Sequence, residues 1–136
     1  MVRTAGASPK KKQTTDLVES PCGPHDHAHP GSLDTEYPDE AFERAAAIFR
    51  AAGDVARLRL LARLAGGERC VTELAAAADA GLSTVSQQLR LLRAEKLVAR
   101  RRAGKHIYYR LADEHVLDLV RSALSHGAEP AHKRAS

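Results

Sequence analysis

The 136-residue sequence has no tryptophan, two phenylalanines, three tyrosines and two cysteines. So few aromatics leave a core to Leu, Ala, Val and Ile, which suits small helices packed closely. Two cysteines cannot build the disulfide framework of a small secreted protein, so the uses to test are metal ligation and redox sensing. No stretch approaches the roughly 18 consecutive apolar residues of a spanning helix. Lys10-Lys11-Lys12 is followed by Gln13-Thr14-Thr15-Asp16, not by the apolar segment of a secretory signal. A cytoplasmic protein without a membrane partner is expected. A glycine-rich phosphate loop is also lacking, which argues against an enzyme and against a small organic substrate.

What is present is an uneven charge. Lys and Arg number 21 against 17 Asp and Glu, a formal +4. Residues 1–40 carry four basic and seven acidic side chains, whereas residues 41–136 carry seventeen and ten. The basic part is the natural surface for a polyanion. Five of the six prolines fall within residues 1–38, among Ser, Thr and charged residues without apolar periodicity, so 1–38 reads as a flexible arm. Residues 39–129 read as one domain and 130–136 as a frayed tail.

From Asp39 the apolar residues fall at helical spacing. Phe42, Ala45, Ala46, Ile48 and Phe49 lead to Gly53, and Val55, Leu58, Leu61, Ala62 and Leu64 lead to Gly66-Gly67. A short third helix covers Val71 to Ala77. After a turn at Asp79-Ala80-Gly81, a fourth helix is expected from an N-cap at Ser83 through Leu97. Leu97 to Arg102 and His106 to Leu111 read as a hairpin around Gly104. A last helix runs from Asp113 to about Gly127.

This order of elements is mainly α with a small β component: a winged helix-turn-helix with a basic hairpin wing and a C-terminal dimerisation helix. On the fourth helix Val85, Leu89 and Leu92 face inward. Ser83, Thr84, Ser86, Gln87, Gln88 and Arg90 lie around the outer arc, with short hydroxyls, amides and a guanidinium that can reach base edges and phosphates. Arg101, Arg102 and Lys105 mark the wing. Residues 81–110 hold eight Lys or Arg and one Glu, a phosphate-binding footprint for double-stranded DNA. A solvated helix face is the plainer reading of any one of these residues, but not of the helix and wing together.

The run Leu82-Ser83-Thr84-Val85-Ser86-Gln87-Gln88-Leu89-Arg90-Leu91-Leu92-Arg93, with Leu97-Val98 and Gly104-Lys105-His106-Ile107-Tyr108-Tyr109-Arg110-Leu111, resembles the ArsR/SmtB family of bacterial metal-responsive repressors across about residues 40–127. The resemblance implies a homodimer that binds operator DNA when metal-free and lets go when metal binds. The same scaffold serves zinc, nickel, cadmium, arsenite and thiol or oxidant sensing.

On the last helix His115 and His126 share one stripe, roughly 16 Å apart along the axis. One ion cannot bridge that distance. Two copies packed antiparallel about a two-fold axis would set Asp113 and His115 of one chain beside His126 and Glu129 of the other, giving two equivalent sites. The stripe Val116, Leu119, Val120, Ala123 and Leu124 is expected to be buried in that seam. The final-helix pattern of the family's zinc sensors, Asp-x-His, ten residues, His-x-x-Glu or His, is matched at these four positions without a gap. The plainer reading makes Asp113 an N-cap and the two histidines exposed polar residues. Two carboxylates and two imidazoles suit Zn(II) or Co(II). Ni(II) and Cd(II) remain open, nickel with extra ligands from His132 or the arm.

The family also implies a second kind of site, joining a Cys at the start of the third helix to ligands from the arm. Cys70 occupies that place, with Glu73 one turn on and Cys22, His25, His27 and His29 in the arm. Where thiolate-rich members carry Cys-x-Cys, this chain has Thr72. A buried thiol and a metal-scavenging tract are the plainer readings, and a reversible Cys22–Cys70 disulfide would make the chain a thiol sensor instead.

Overall fold

A computed structural model describes residues 31–131, and the chain divides into two units, Met1–Tyr37 and Pro38–Ser136. Of the first unit, the described residues 31–37 form turns, in which the Glu36 N–H donates to Leu33 O at 3.1 Å. Everything below concerns the second unit.

Helix α1 spans Asp39–Ala52, with Asp39 and Glu40 in its first turn and Arg50 in its last, charges that complement the helix dipole. It stops at Gly53, where a Cβ would come within 2.9 Å of Phe49 O, so no larger residue fits this close return. Asp54 Oδ2 then accepts the Arg57 N–H at 3.1 Å and caps α2, Val55–Leu64. Arg57 also reaches back, donating from Nε to Ala51 O at 2.6 Å and from Nη2 to Arg50 O at 3.4 Å. It thereby occupies carbonyls that the end of α1 leaves without helical partners.

Helix α3 covers Val71–Ala78 and α4 covers Leu82–Ala94. Asp79 ends α3 in a left-handed conformation, with Ala80 N–H bonded to Ala75 O. The end of α4 uses the same device. Lys96 sits at φ +61°, its N–H donating to Arg93 O at 2.9 Å and that of Leu97 to Leu92 O at 3.0 Å, the paired closure of a Schellman motif. The helix therefore stops three residues before the Leu97 boundary expected from periodicity. Its start also differs: Gly81, in extended backbone, is the cap residue without a side-chain bond, and Ser83 lies exposed in the first turn instead of capping it.

Strands β2 (Val98–Ala103) and β3 (His106–Leu111) pair antiparallel from Val98↔Leu111 to Ala103↔His106, turning at Gly104 with φ +63°. A two-residue strand that periodicity could not show, β1 (Arg69–Cys70), pairs with β3, giving the sheet order β1-β3-β2. Ala112 N–H donates to Leu97 O at 3.0 Å, closing the root of the wing. Helix α5 follows as Glu114–Gly127.

The core is aliphatic. Leu60, Leu61 and Leu64 of α2, Leu74 of α3, and Val85, Leu89 and Leu92 of α4 pack with Leu97, Val98 and Tyr109. Burying such side chains contributes about 1.5–3 kcal/mol each. Val116 and Val120 of α5 join this same core, at 7% and 4% exposure. The α5 stripe expected to face a partner is thus divided. Its two valines hold α5 to its own domain, Leu119 is half-buried, and Ala123 and Leu124 are exposed. Helix α1 has no fully buried residue, and its Phe42 and Phe49 are exposed.

Candidate DNA interface and metal ligands

The three buried residues of α4 orient everything else on it. With Val85 and Leu89 fully covered, Ser83, Thr84, Gln87 and Arg90 stand exposed, and Ser86 and Gln88 are half-buried at the edge of the packed face. A cleft of about 200 Å³ opens between the first turns of α4, at Leu82 and Ser86, and the wing tip at Lys105, His106 and Ile107, with Cys70 on its wall. The cleft therefore has the Ser86 hydroxyl of α4 on one side and the Lys105 ammonium of the wing on the other. Arg90, Arg93 and Lys96 border a second open cleft at the far end of α4.

Cross-strand partners share a face of the hairpin. Arg100 and Arg102 accordingly lie on the side of Tyr109 and Ile107, and Arg101 on the side of Tyr108. Arg102 and Lys105 are exposed. Arg101 is engaged: its Nε and Nη2 donate to Glu68 Oε2 and Oε1 at 2.9 and 2.7 Å, and its guanidinium lies 4.7 Å from the centre of the Tyr108 ring. The hydrogen bonds and charge of Arg101 hold the Glu68 carboxyl below the usual carboxylate range, and Glu68 in turn raises Arg101. Glu68 was not among the residues singled out from the sequence. It precedes β1, and β1–β3 pairing is what brings it to the wing.

Cys70 is buried at the N-cap of α3. Its N–H donates to Glu73 Oε1 at 3.0 Å, and its Sγ lies 3.0 Å from Thr72 Oγ1. Glu73 thus serves the helix start. Cys22, His25, His27, His29 and His132 lie outside the described residues.

The ends of α5 carry two ligand pairs. Asp113 Oδ1 accepts the Val116 N–H at 3.1 Å, capping the helix, and lies 3.8 Å from His115 Nδ1. At the other end His126 Nδ1 is 3.6 Å from Glu129 Oε1. Both histidine side chains are open to solvent, at 96% and 74% exposure. A 14-residue helix is about 21 Å long, so the two pairs of one chain are too far apart to share an ion. Among the described residues of one chain, no three His, Cys, Asp or Glu side chains are grouped to hold an ion. A carboxylate and an imidazole at each end fit the donor set of a tetrahedral Zn(II) or Co(II) site once two ends meet. The cap engages one carboxylate oxygen of Asp113 and does not use the other.

Residues 54–100 match the family described as bacterial regulatory protein, arsR family. The chain is 48% identical over 84 residues to a transcriptional repressor SmtB homolog of Synechocystis, a match covering 62% of this chain and 64% of that one, a little under two thirds of its length. It is 33% identical over 112 residues to an HTH-type transcriptional repressor SmtB of Mycobacterium tuberculosis, covering 77% and 83%. Among solved structures, a homodimeric winged helix-turn-helix DNA-binding domain from Mycobacterium bovis, a possible ArsR-family transcriptional regulator, superposes with a TM-score of 0.62 at 33% identity, covering 71% of this chain and 88% of that one. No described helix is long and apolar enough to cross a membrane.

Proposed function

The chain belongs to the ArsR family of bacterial regulatory proteins, and we propose that within it the protein is a zinc-responsive repressor. As a transcriptional regulator it is not an enzyme. In this reading a cytoplasmic homodimer holds operator DNA while metal-free and releases it when Zn(II) or Co(II) occupies two sites between its final helices. The observation that carries the metal half is the placement of Asp113 with His115, and of His126 with Glu129, at opposite ends of one helix. Antiparallel apposition of two such helices brings each end of one chain to the complementary end of the other, in two equivalent places.

The surfaces left uncovered support a second copy as the partner. Phe42 and Phe49, seven residues apart on α1, and Leu124 on α5 are exposed apolar side chains on the first and last helices of the domain. The M. bovis relative is homodimeric. Within each protomer Ser83, Thr84, Ser86, Gln87, Gln88 and Arg90 of α4 enter the major groove, and Arg102 and Lys105 reach phosphates from the wing.

Metal binding ties two α5 helices into one relative geometry. Since Val116 and Val120 anchor α5 in the core that also holds α4, that geometry fixes the distance between the two recognition helices. Operator half-sites demand one spacing. A metal-bound dimer that departs from it loses affinity, by about 5–150-fold for a coupling of about 1–3 kcal/mol. Fluorescence anisotropy on an operator recovered from a random duplex pool tests this with and without zinc. Unchanged affinity in a dimer shown to carry metal refutes it.

A further inference from the structure

We infer that Glu68 is an internal competitor of DNA phosphate for Arg101, and so lowers by one the number of cations each wing offers to the duplex. The reading rests on the DNA-binding role proposed above. Bidentate pairing through Nε and Nη2, at 2.9 and 2.7 Å, is the geometry by which a guanidinium grips either a carboxylate or a phosphate. The carboxylate thus stands where a phosphate would have to be placed. Tyr108 holds the guanidinium from its flat side at 4.7 Å, which keeps Arg101 oriented toward Glu68. Arg110, by contrast, donates from Nη1 to Leu111 O and Ala112 O at 3.3 and 3.5 Å, so Arg101 is the wing arginine that the acid engages.

The consequence is quantitative. Residues 81–110 contain eight basic side chains and a single acid, a count from which Glu68 is excluded because it lies 33 residues before Arg101. Brought to the wing by β1–β3 pairing, it neutralises one of the three consecutive arginines of β2. Arg102, on the opposite hairpin face with Ile107, and Lys105 at the tip stay available. A wing built this way binds DNA less tightly than its composition implies, which keeps the metal-free complex within reach of release.

Counterion release counts the phosphates a protein neutralises: the slope of log K against log salt changes by about 0.9 for each. Anisotropy titrations of the full-length dimer on a mixed-sequence duplex, over a range of NaCl, therefore test the inference. Glu68→Gln keeps the shape and removes the charge. It should tighten binding at low salt and steepen the slope by about 0.9 per wing. Arg101→Ala alone would leave Glu68 a bare carboxylate on the wing, so the charge-neutral double variant Glu68→Gln/Arg101→Ala is the one that should keep the parental slope. A parental slope in Glu68→Gln overturns the inference, and so does a slope made shallower in the double variant, because Arg101 would then already be on a phosphate. Glu68→Ala/Arg101→Ala, equally charge-neutral, gives the second reading should Glu68→Gln not fold. Absence of salt-dependent binding in the parent would overturn the DNA-binding role itself, a separate outcome.

Discussion

Asp113 Oδ1 lies 3.8 Å from His115 Nδ1 while accepting the Val116 N–H at 3.1 Å. One carboxylate is therefore both the cap of α5 and a proposed metal ligand, and substitution can separate the two. Asn caps a helix about as well as Asp, whereas Ala costs about 0.5–2 kcal/mol. Asp113→Asn should keep the parental melting temperature and bind zinc more weakly. Asp113→Ala should lose both, and thermal melts with metal titrations on the two variants check this.

His115 and His126 are largely exposed, so truncating either should cost little stability. His115→Ala and His126→Ala dimers are each expected to bind operator like the parent and to fail to release it when zinc is added. Loss of operator binding in both would make the histidines structural. Competition against a chelator of known affinity measures the metal side directly.

Phe49 is 61% exposed on a helix with no buried residue. If a second copy covers it, Phe49→Glu should shift sedimentation from dimer to monomer and leave the circular dichroism of the domain unchanged. DNA affinity should fall with the loss of the second half-site. A Phe49→Glu protein that stays dimeric places the interface elsewhere.

Leu89 is fully buried between α4 and the rest of the core. Leu89→Ala should destabilise the fold by about 2–5 kcal/mol, read by urea unfolding, and should abolish DNA binding through unfolding. Gln87→Ala, on the exposed arc, should weaken operator binding and leave the urea midpoint unchanged.

The Arg101 hydrogen bonds hold the Glu68 carboxyl below its ordinary range. A carboxyl with a depressed folded pKa contributes stability that is present above its unfolded pKa, near 4.3, and is lost as pH falls through the lower folded value. The melting-temperature difference between parent and Glu68→Gln should therefore be largest at neutral pH and vanish in acid. An exposed pair makes that difference small.

The helices and the hairpin were legible because each has a repeating apolar pattern or a turn glycine: Val85, Leu89 and Leu92 at α-helical spacing, and Gly104 between two β-rich runs. The stop of α4 was not, since the residue that turns left-handed is Lys96, a type carrying no such signal. A stripe also cannot say which neighbour it meets. Val116 and Val120 read like Leu124 in the sequence, yet only the first two enter the domain's own core. The proposed ligands could be named because they sit on and just beyond the ends of one helix, at the spacing of the family's final-helix pattern. Glu68 could not, because its tie to Arg101 exists only after a two-residue strand has paired.

Leu97 receives the end of α4 through Leu92 O and returns the chain from the wing through Ala112 N–H. Two hydrogen bonds on one buried residue make the helix and the wing inseparable parts of a single reading head. For protein engineering this marks where to cut a transplant. A chimera that exchanges operator preference between two such regulators should join before Gly81 and after Ala112, carrying both bonds intact. A junction at the apparent helix boundary, between Ala94 and Val98, would divide the Lys96–Leu97 closure that keeps the two halves in register.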